Sequence, residues 1–394
     1  MEGYIFDWLN LFLRWFHVLA GIAWIGASFY FVWLDLSLEK ASPENEAKGI
    51  KGQLSAIHGG GFYEVAKYKL GPQEMPANLH WFKWEAYTTW LTGFSLLTVM
   101  YYWGANQYLI DPAKVAFSQW QAIGSSLLYL LAGFAVYEVL IKSPLRNSNK
   151  GFAAVLFVFL VFMAWVADQL FADRAAYIYI HVGALIGSIM AGNVFFGIMP
   201  SQRELVRAVQ AGETPQAIFA VLAKLRSTHN NYLTLPLVFI MISNHYPMTY
   251  GHEYAWLVLA VIGVITGLIR HFLNLKTQGA GVKPGYLIAA LLLTLALAAV
   301  MAPKPVATTG TVINSDQALH ITHLRCVECH GSEPSNGMFT SAPAGIILES
   351  EAQLLQVKDR MISALQTNYM PLGNITAMTD DERAQLLGWL KAKQ

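Results

Sequence analysis

Near its C-terminus the chain carries two cysteines and a histidine in a pattern that can do redox chemistry. The cysteines, Cys326 and Cys329, are separated by two residues, and His330 follows directly. A C-x-x-C-H pattern is typical of a covalently attached c-type haem, in which the thiols bond the porphyrin and the histidine ligates the iron. The alternative is zinc, since His320 and His323 lie close by. The adjacent histidine favours haem.

An electron-carrying haem needs a sixth ligand, and a methionine thioether is the expected one. The candidates are Met338, Met361, Met370 and Met378. Met370 precedes Pro371, which prevents a helix there and favours an extended loop. Such a loop can lay a thioether across a haem face, whereas a methionine elsewhere more often packs in a core. We therefore predict His330 and Met370 as the two iron ligands.

The rest of the chain has the composition of a membrane protein. It is 55% hydrophobic and 13% charged, whereas soluble domains carry about 25% charged residues. A spanning helix needs about 20 mostly apolar residues. We predict eight spans, near residues 8–33, 80–103, 118–140, 151–172, 176–199, 230–247, 253–272 and 285–302. The N-terminus does not resemble a cleaved signal peptide, so the first span is expected to stay as an anchor.

Lysine and arginine indicate the orientation of the spans. Fifteen of them lie in or beside the first, third, fifth and seventh loops, and two in the remaining loops. The positive-inside rule then places the odd loops in the cytoplasm and both termini outside, which is the periplasm if this is a bacterial inner-membrane protein. This orientation agrees with haem attachment, which in bacteria occurs outside the cytoplasm. We expect lipid around the helices and no nucleic-acid partner.

These patterns predict an all-α fold with three parts. A helical membrane domain covers residues 1–302, a Pro/Thr-rich linker covers 303–314, and a small class I cytochrome c domain covers 315–394.

A capping box at 379–382 opens the last helix, whose apolar face is Leu386, Leu387, Trp389 and Leu390. In the first cytoplasmic loop, residues 58–72 are too polar to span, and are either interfacial or a lid over the bundle.

Ionisable residues inside spans are costly and often functional. His17 and His181 lie at similar depths in the outer half, and either ligate a b-type haem, surround a polar substrate, or are hydrogen-bonded between helices. At the inner end, His229, Asn230 and Asn231 open the sixth predicted span, where a helix N-terminus attracts anions. The plainer alternative at that end is helix capping.

Several segments together resemble one known family. They are WFHVLAGIAWIGASFYFVWLD, HWFKWEAYTTWLTGF, HVGALIGSIMAGNVFFGIMPSQREL, THNNYLTLPLVFIMISNH, CVECH and NYMPLGNITAM. The chain resembles, over essentially its whole length, the PuuD-type urate hydroxylases, which are membrane urate oxidases fused to a cytochrome c. The tail by itself indicates only a cytochrome c, and the membrane segments make the resemblance specific.

This resemblance implies oxidation of urate to 5-hydroxyisourate without hydrogen peroxide. Electrons would pass to one covalent haem c, held by Cys326, Cys329, His330 and Met370, and then to a soluble cytochrome c or a terminal oxidase. Urate yields two electrons and one haem accepts one, so a second haem b or two sequential transfers are needed. The resemblance does not fix the catalytic residues of the membrane domain. Our candidates there are His17, His181, His229, Asn230 and Asn231, with His17 and His181 as the hypothesised centre.

Other functions fit parts of the sequence. The chain could be an electron-transfer membrane subunit with no substrate of its own, or another small-molecule dehydrogenase that feeds cytochrome c. A transporter with a cytochrome regulator belongs to a different class, and inverted repeats, which would favour it, are not evident. The tail carries a net charge of −3, which weakly favours a basic or neutral electron-transfer partner.

Overall fold

The computed structural model describes residues 2–112, 114–172, 177–252, 254–277, 282–302, 313–335, 341–371, 374 and 376–393. Helices in the N-terminal part are α1 (Glu2–Ser37), α2 (Pro43–Ala47), α3 (Trp84–Leu97), α4 (Ala105–Tyr108), α5 (Gln119–Lys142), α6 (Asn149–Leu170), α7 (Tyr177–Gly192), α8 (Met199–Gln210), α9 (Ala217–Ile242), α10 (Pro247–Tyr250), α11 (Ala255–Thr277) and α12 (Gly285–Val300). Two π-helical segments, Thr98–Tyr102 and Asn193–Ile198, continue α3 and α7.

Five helical segments of the described residues are long and apolar enough to cross a membrane. They are Tyr4–Ser37, Gln119–Lys142, Asn149–Leu170, Ile178–Gln210 and Ala255–Thr277, and a shorter apolar helix covers Gly285–Val300. The predicted spans at 80–103 and 230–247 correspond to the helical stretch 84–102 and to α9. The chain therefore has the helices of a membrane protein, while the number of eight spans stays a prediction.

The prediction that His229, Asn230 and Asn231 open the sixth helix is wrong. Helix α9 begins at Ala217, thirteen residues before the predicted residue 230. The run from 217 to 228 is rich in alanine and leucine, and it contains no glycine or proline to end a helix. Because Lys224 and Arg226 interrupt the apolar residues, this run does not have the length of apolar sequence that predicts a span. His229, Asn230 and Asn231 thus lie in mid-helix, so neither anion attraction by a helix N-terminus nor capping explains them.

The helices of the bundle pack side by side in a defined order. Helix α3 packs against both α1 and α7, and α7 also packs against α5, α6 and α9. Helix α11 contacts α9, α12, α6 and α1. Helix α9 therefore has α7 as one neighbour and α11 as another, and its polar side chains can face either helix.

The loop between α1 and α3, which is predicted to be cytoplasmic, folds as a small antiparallel sheet, so the all-α prediction is incomplete. Strands β1 (Glu39–Lys40), β2 (Ile50–His58) and β3 (Gly61–Tyr68) pair in that order, and Ala56 lies opposite Tyr63. The two residues between β2 and β3 are Gly59 and Gly60, both with positive φ. Such a two-residue turn matches the twist of paired strands and requires residues that tolerate positive φ, which the sequence GGG supplies.

The hairpin is attached to the bundle through one carboxylate. Asp35, near the C-terminal end of α1, binds Lys67 of β3, and it also accepts a hydrogen bond from Lys224 of α9 at 2.7 Å. This shared ion pair connects the sheet to two helices. The loop is therefore an ordered hairpin bound to α1 and α9.

The tail folds around its own small core. Its helices are α13 (Ser315–Arg325), α14 (Val327–His330), α15 (Glu351–Gln356), α16 (Lys358–Gln366) and α17 (Asp380–Ala392). The capping box is confirmed, since the Thr379 hydroxyl accepts from the Glu382 amide at 3.2 Å and the Glu382 carboxylate accepts from the Thr379 amide at 2.8 Å. The four predicted apolar residues of α17 are all buried. Most of the predicted linker, residues 303–312, lies outside the described residues.

Candidate functional site

The C-x-x-C-H motif lies where α13 ends and α14 begins. Cys326 separates the two helices, Cys329 and His330 close α14, and the two cysteines are not joined in a disulfide. His330 is buried, and its Nδ1 lies 3.0 Å from the carbonyl oxygen of Ile346. Because a carbonyl can only accept, Nδ1 carries the proton and Nε2 keeps its lone pair. A backbone carbonyl often orients a metal-ligating histidine in this way.

The methionines that are candidates for the second iron ligand differ in how deeply they are buried. Met361 and Met378 are 8% and 3% exposed and belong to the hydrophobic core of the tail. Met370 is half-buried, lies outside that core cluster and occupies the predicted loop. Met338 lies outside the described residues. The donor set of two thiols, an oriented imidazole and a loop thioether fits a c-type haem.

An arginine that the sequence did not single out holds the Met370 loop. Arg383 on α17 is 5% exposed. Its Nη1 donates to the carbonyl oxygen of Met370 at 2.6 Å and to that of Leu365 at 3.3 Å. A buried cation bound to two carbonyls ties the loop to the last helix. Within the described residues, no group of three or more His, Cys, Asp or Glu side chains is placed to hold a metal ion, which gives the zinc alternative no further ligands.

His17 is oriented by α3. Its Nδ1 lies 3.0 Å from the Thr89 carbonyl oxygen and 3.1 Å from the Thr92 hydroxyl oxygen. Since that hydroxyl donates to the Thr88 carbonyl at 2.7 Å, it accepts from His17. Nδ1 is again the protonated nitrogen, and Nε2 is left with a lone pair that can accept a proton or ligate a metal.

His181 is packed more tightly. It is fully buried, its ring stacks on Phe171 at 4.4 Å, and its Nε2 lies 2.6 Å from the Ser126 hydroxyl of α5. Tyr102 continues this hydrogen-bond chain at 2.9 Å. His17 and His181 thus bond to different helices, and α3 lies between the helices that carry them. This arrangement does not join them in one hydrogen-bonded centre.

His229 and Asn230 belong to a neutral network between α5, α7 and α9. The Asn193 amide donates to the Asn230 side-chain oxygen at 2.8 Å and to the Tyr137 hydroxyl at 2.9 Å. The Tyr137 hydroxyl lies 2.9 Å from Nδ1 of His229, to which it can then donate. Asn193 stands in the π-helical segment of residues 193–198, an irregularity often found at functional sites.

The same network neutralises one buried cation. Arg226 on α9 donates to both carboxylate oxygens of Glu138, at 2.5 and 3.1 Å, and to the Asn193 oxygen at 2.8 Å. A Cβ at Gly197 would overlap the Arg226 side chain, so glycine is needed there. Arg226 also borders a cavity of about 250 Å³ that reaches Lys142. Its charge is satisfied from within the chain.

Asn231 faces a different neighbour. Its side-chain oxygen accepts a hydrogen bond from Nε of Arg270 on α11. The Arg270 guanidinium carbon lies 3.8 Å from the centre of the Phe29 ring on α1. Both polar residues are buried, at 4% and 5% exposure. The sequence signal for this contact was an arginine within the apolar run of α11, but its partners on two other helices were not predictable.

The membrane domain matches a known family over its full length. The model of the urate oxidase N-terminal family matches residues 3–302. The chain belongs to the urate oxidase N-terminal family. The match contains α1 to α12, and the prediction of a urate-oxidase-related chain is confirmed at this level. No curated protein and no solved structure matches the chain.

Proposed function

We propose that the chain is a membrane oxidoreductase that converts urate to 5-hydroxyisourate without hydrogen peroxide, as PuuD-type enzymes do. The observation that carries this proposal is membership of the urate oxidase N-terminal family across the whole helical domain. The five helices that are long and apolar enough to cross a membrane support a location in a bilayer. The excess of basic residues in the odd loops supports the bacterial inner membrane with both termini in the periplasm.

The tail supplies the residues for an electron acceptor. Cys326 and Cys329 would bond a haem c, with His330 and Met370 as its axial ligands. A haem c bound there supplies one-electron acceptance, and a soluble cytochrome c or a terminal oxidase would be the next acceptor. The chain's own residues orient the ligands, since Ile346 fixes the His330 ring and Arg383 fixes the loop of Met370.

Of the two histidines hypothesised as the centre, His17 is the better suited to a second cofactor. His17 has its Nδ1 bonded to α3 and its Nε2 available, whereas Nε2 of His181 is bonded to Ser126. The hypothesis of a b-type haem therefore rests on His17 more than on His181. A pyridine haemochrome spectrum of the purified protein tests it, because a spectrum with c-type haem alone would leave His17 as a substrate or proton-handling group.

The polar residues of α9 have different roles in this proposal. Tyr137 can donate to His229 Nδ1, so the imidazole is neutral and its Nε2 carries the proton. Asn230 connects that network to α7. These two residues fix the helices and hold protons in place. Among His229, Asn230 and Asn231, it is Asn231 that contacts Arg270, a cation with no carboxylate partner among the described residues.

The function is tested by adding urate to the purified, haem-loaded protein under anaerobic conditions. Reduction of the haem, seen in its visible absorption bands, is the expected result, with 5-hydroxyisourate detected as the product. A neutral purine at the same concentration serves as the control. If urate leaves a fully oxidised, haem-loaded protein unchanged, the enzyme proposal fails and the electron-transfer subunit becomes the better reading.

A further inference from the structure

We propose that Arg270, Asn231 and Phe29 form a binding site for a planar heteroaromatic anion in the inner half of the bundle. The inference rests on the proposed function, because it names the place where the anionic purine substrate is held. The three residues come from α11, α9 and α1. They meet only because α11 packs against both other helices.

Arg270 carries a buried positive charge. The side chain is 5% exposed, and among the described residues no carboxylate lies within ion-pair distance of it. Arg226 gives the contrast, because it is equally deep and is bound on two nitrogens by Glu138. An uncompensated charge in a buried site is strongly unfavourable. A bound anion would supply the charge that the chain does not.

Arg270 and Asn231 also have hydrogen-bond donors that are not used within the described residues. In the described part of the chain, Arg270 donates through Nε to Asn231, and no acceptor is bonded to its two Nη nitrogens. The amide nitrogen of Asn231 likewise has no acceptor among the described residues. A guanidinium presents its Nη groups as a planar fork that suits a pair of coplanar acceptors. These donors therefore lie together without acceptors of their own.

The planar groups at this site suit a planar ligand. The Arg270 guanidinium carbon lies 3.8 Å from the Phe29 ring centre, so an aromatic ring lies against the charged group. Phe29 covers one face of the guanidinium, and the free donors of the guanidinium lie in its own plane, which suits the edge of a flat ligand better than a tetrahedral one. Urate is a flat anion whose edge carries several carbonyl and ring-nitrogen acceptors. The site thus combines the positive end and the amide that such a substrate needs with an aromatic ring that fixes the plane of the guanidinium.

Phe29 and Arg270 lie near the same end of the bundle. Phe29 lies two turns before Asp35, the residue that binds the cytoplasmic hairpin, and Arg270 lies two turns before the C-terminal end of α11. With the sidedness predicted from the basic loops, both positions are nearer the cytoplasm. The anion would therefore enter from the cytoplasmic side.

The sharpest test is Asn231→Asp in the full-length, haem-containing protein. This isosteric change supplies Arg270 with the missing carboxylate, so the bundle should be at least as stable as the wild type. Urate binding should weaken by about 100-fold, since the site becomes electrically neutral. Binding is measured by equilibrium dialysis of labelled urate against the chemically reduced protein, which cannot turn over.

Arg270→Gln removes the cation, and Lys276→Gln is its matched control. Lys276 is exposed on the same helix, so the control loses the same charge outside the site. We expect weak urate binding for the first variant and wild-type binding for the second. Phe29→Leu keeps an apolar side chain and should weaken urate binding without affecting the binding of inorganic phosphate.

The outcomes separate this site from the proposed function. Wild-type urate affinity in folded Asn231→Asp and Arg270→Gln proteins would overturn the site, even if urate still reduces the haem. Loss of a co-purified anionic lipid from both variants, with urate binding unchanged, would also overturn it and identify a lipid headgroup as the anion. Urate that binds through Arg270 but never reduces the haem would leave the site standing and overturn the enzyme.

Discussion

The Arg383→Met substitution is expected to free the Met370 loop while leaving α17 intact, because methionine is also a good helix former. The guanidinium donates to the Met370 carbonyl at 2.6 Å from a site that is 5% exposed. A hydrogen bond from a charged donor contributes about 2 kcal/mol. Its loss should shift the equilibrium between the docked and released loop by about 30-fold, since 1.4 kcal/mol is a factor of ten.

The second bond of Arg383, to Leu365 at 3.3 Å, is longer and weaker. It adds about 1 kcal/mol, so the free energy of unfolding of the tail should fall by about 3 kcal/mol. Denaturant unfolding of the tail, followed by haem absorption, measures this change. The visible charge-transfer band of methionine-ligated ferric haem reports the loop, and it should weaken or vanish.

The matched control is Arg360→Met, which removes an exposed arginine from α16. It should change neither the band nor the unfolding midpoint. If Arg383→Met gives the same spectrum and the same midpoint as this control, the guanidinium does not hold the loop. If the wild-type protein lacks the band, the assignment of Met370 as a ligand is wrong, whatever the substitution does.

Two further predictions concern ion pairs. Glu138→Gln should destabilise the bundle by about 3–5 kcal/mol, because it leaves Arg226 as an uncompensated buried cation. Arg226→Gln should cost less, since Lys142 still lies 3.2 Å from Glu138; equal losses in thermal unfolding would contradict this order. In the tail, the hydrogen bond from Arg325 lowers the pKa of the Glu382 carboxyl. This stabilisation is present above the unfolded-state pKa of about 4.3 and is lost as the pH falls through the lower folded-state pKa. Glu382→Gln should therefore flatten the acid limb of tail unfolding, and an unchanged acid limb would rule the pair out as its cause.

Local patterns predicted much of this protein correctly. The final helix with its capping box and buried face, the loop at Met370 and four membrane helices within a few residues all followed from spacing and composition. The start of α9 was missed because the charged residues Lys224 and Arg226 interrupt its apolar residues. The hairpin was missed because its strands are mostly exposed and lack a clear alternation of apolar and polar residues.

The sequence by itself determined those features that depend on residues close together in the chain. The C-x-x-C-H spacing, the basic loops and the apolar runs need no tertiary contact to be recognised, because each depends on residues within a few positions of one another. The tertiary structure alone decided what each polar residue of the bundle contacts.

Asn230 and Asn231 show this division most clearly. Adjacent residues of a helix point about 100° apart, so the two amides face different neighbours. Asn230 meets α7 and completes a neutral network, whereas Asn231 meets Arg270 and lies beside unused donors. Their residue type is the same, and their partners come from helices 37 and 39 residues away in the chain. Only the packing of α7 and α11 around α9 could separate their roles.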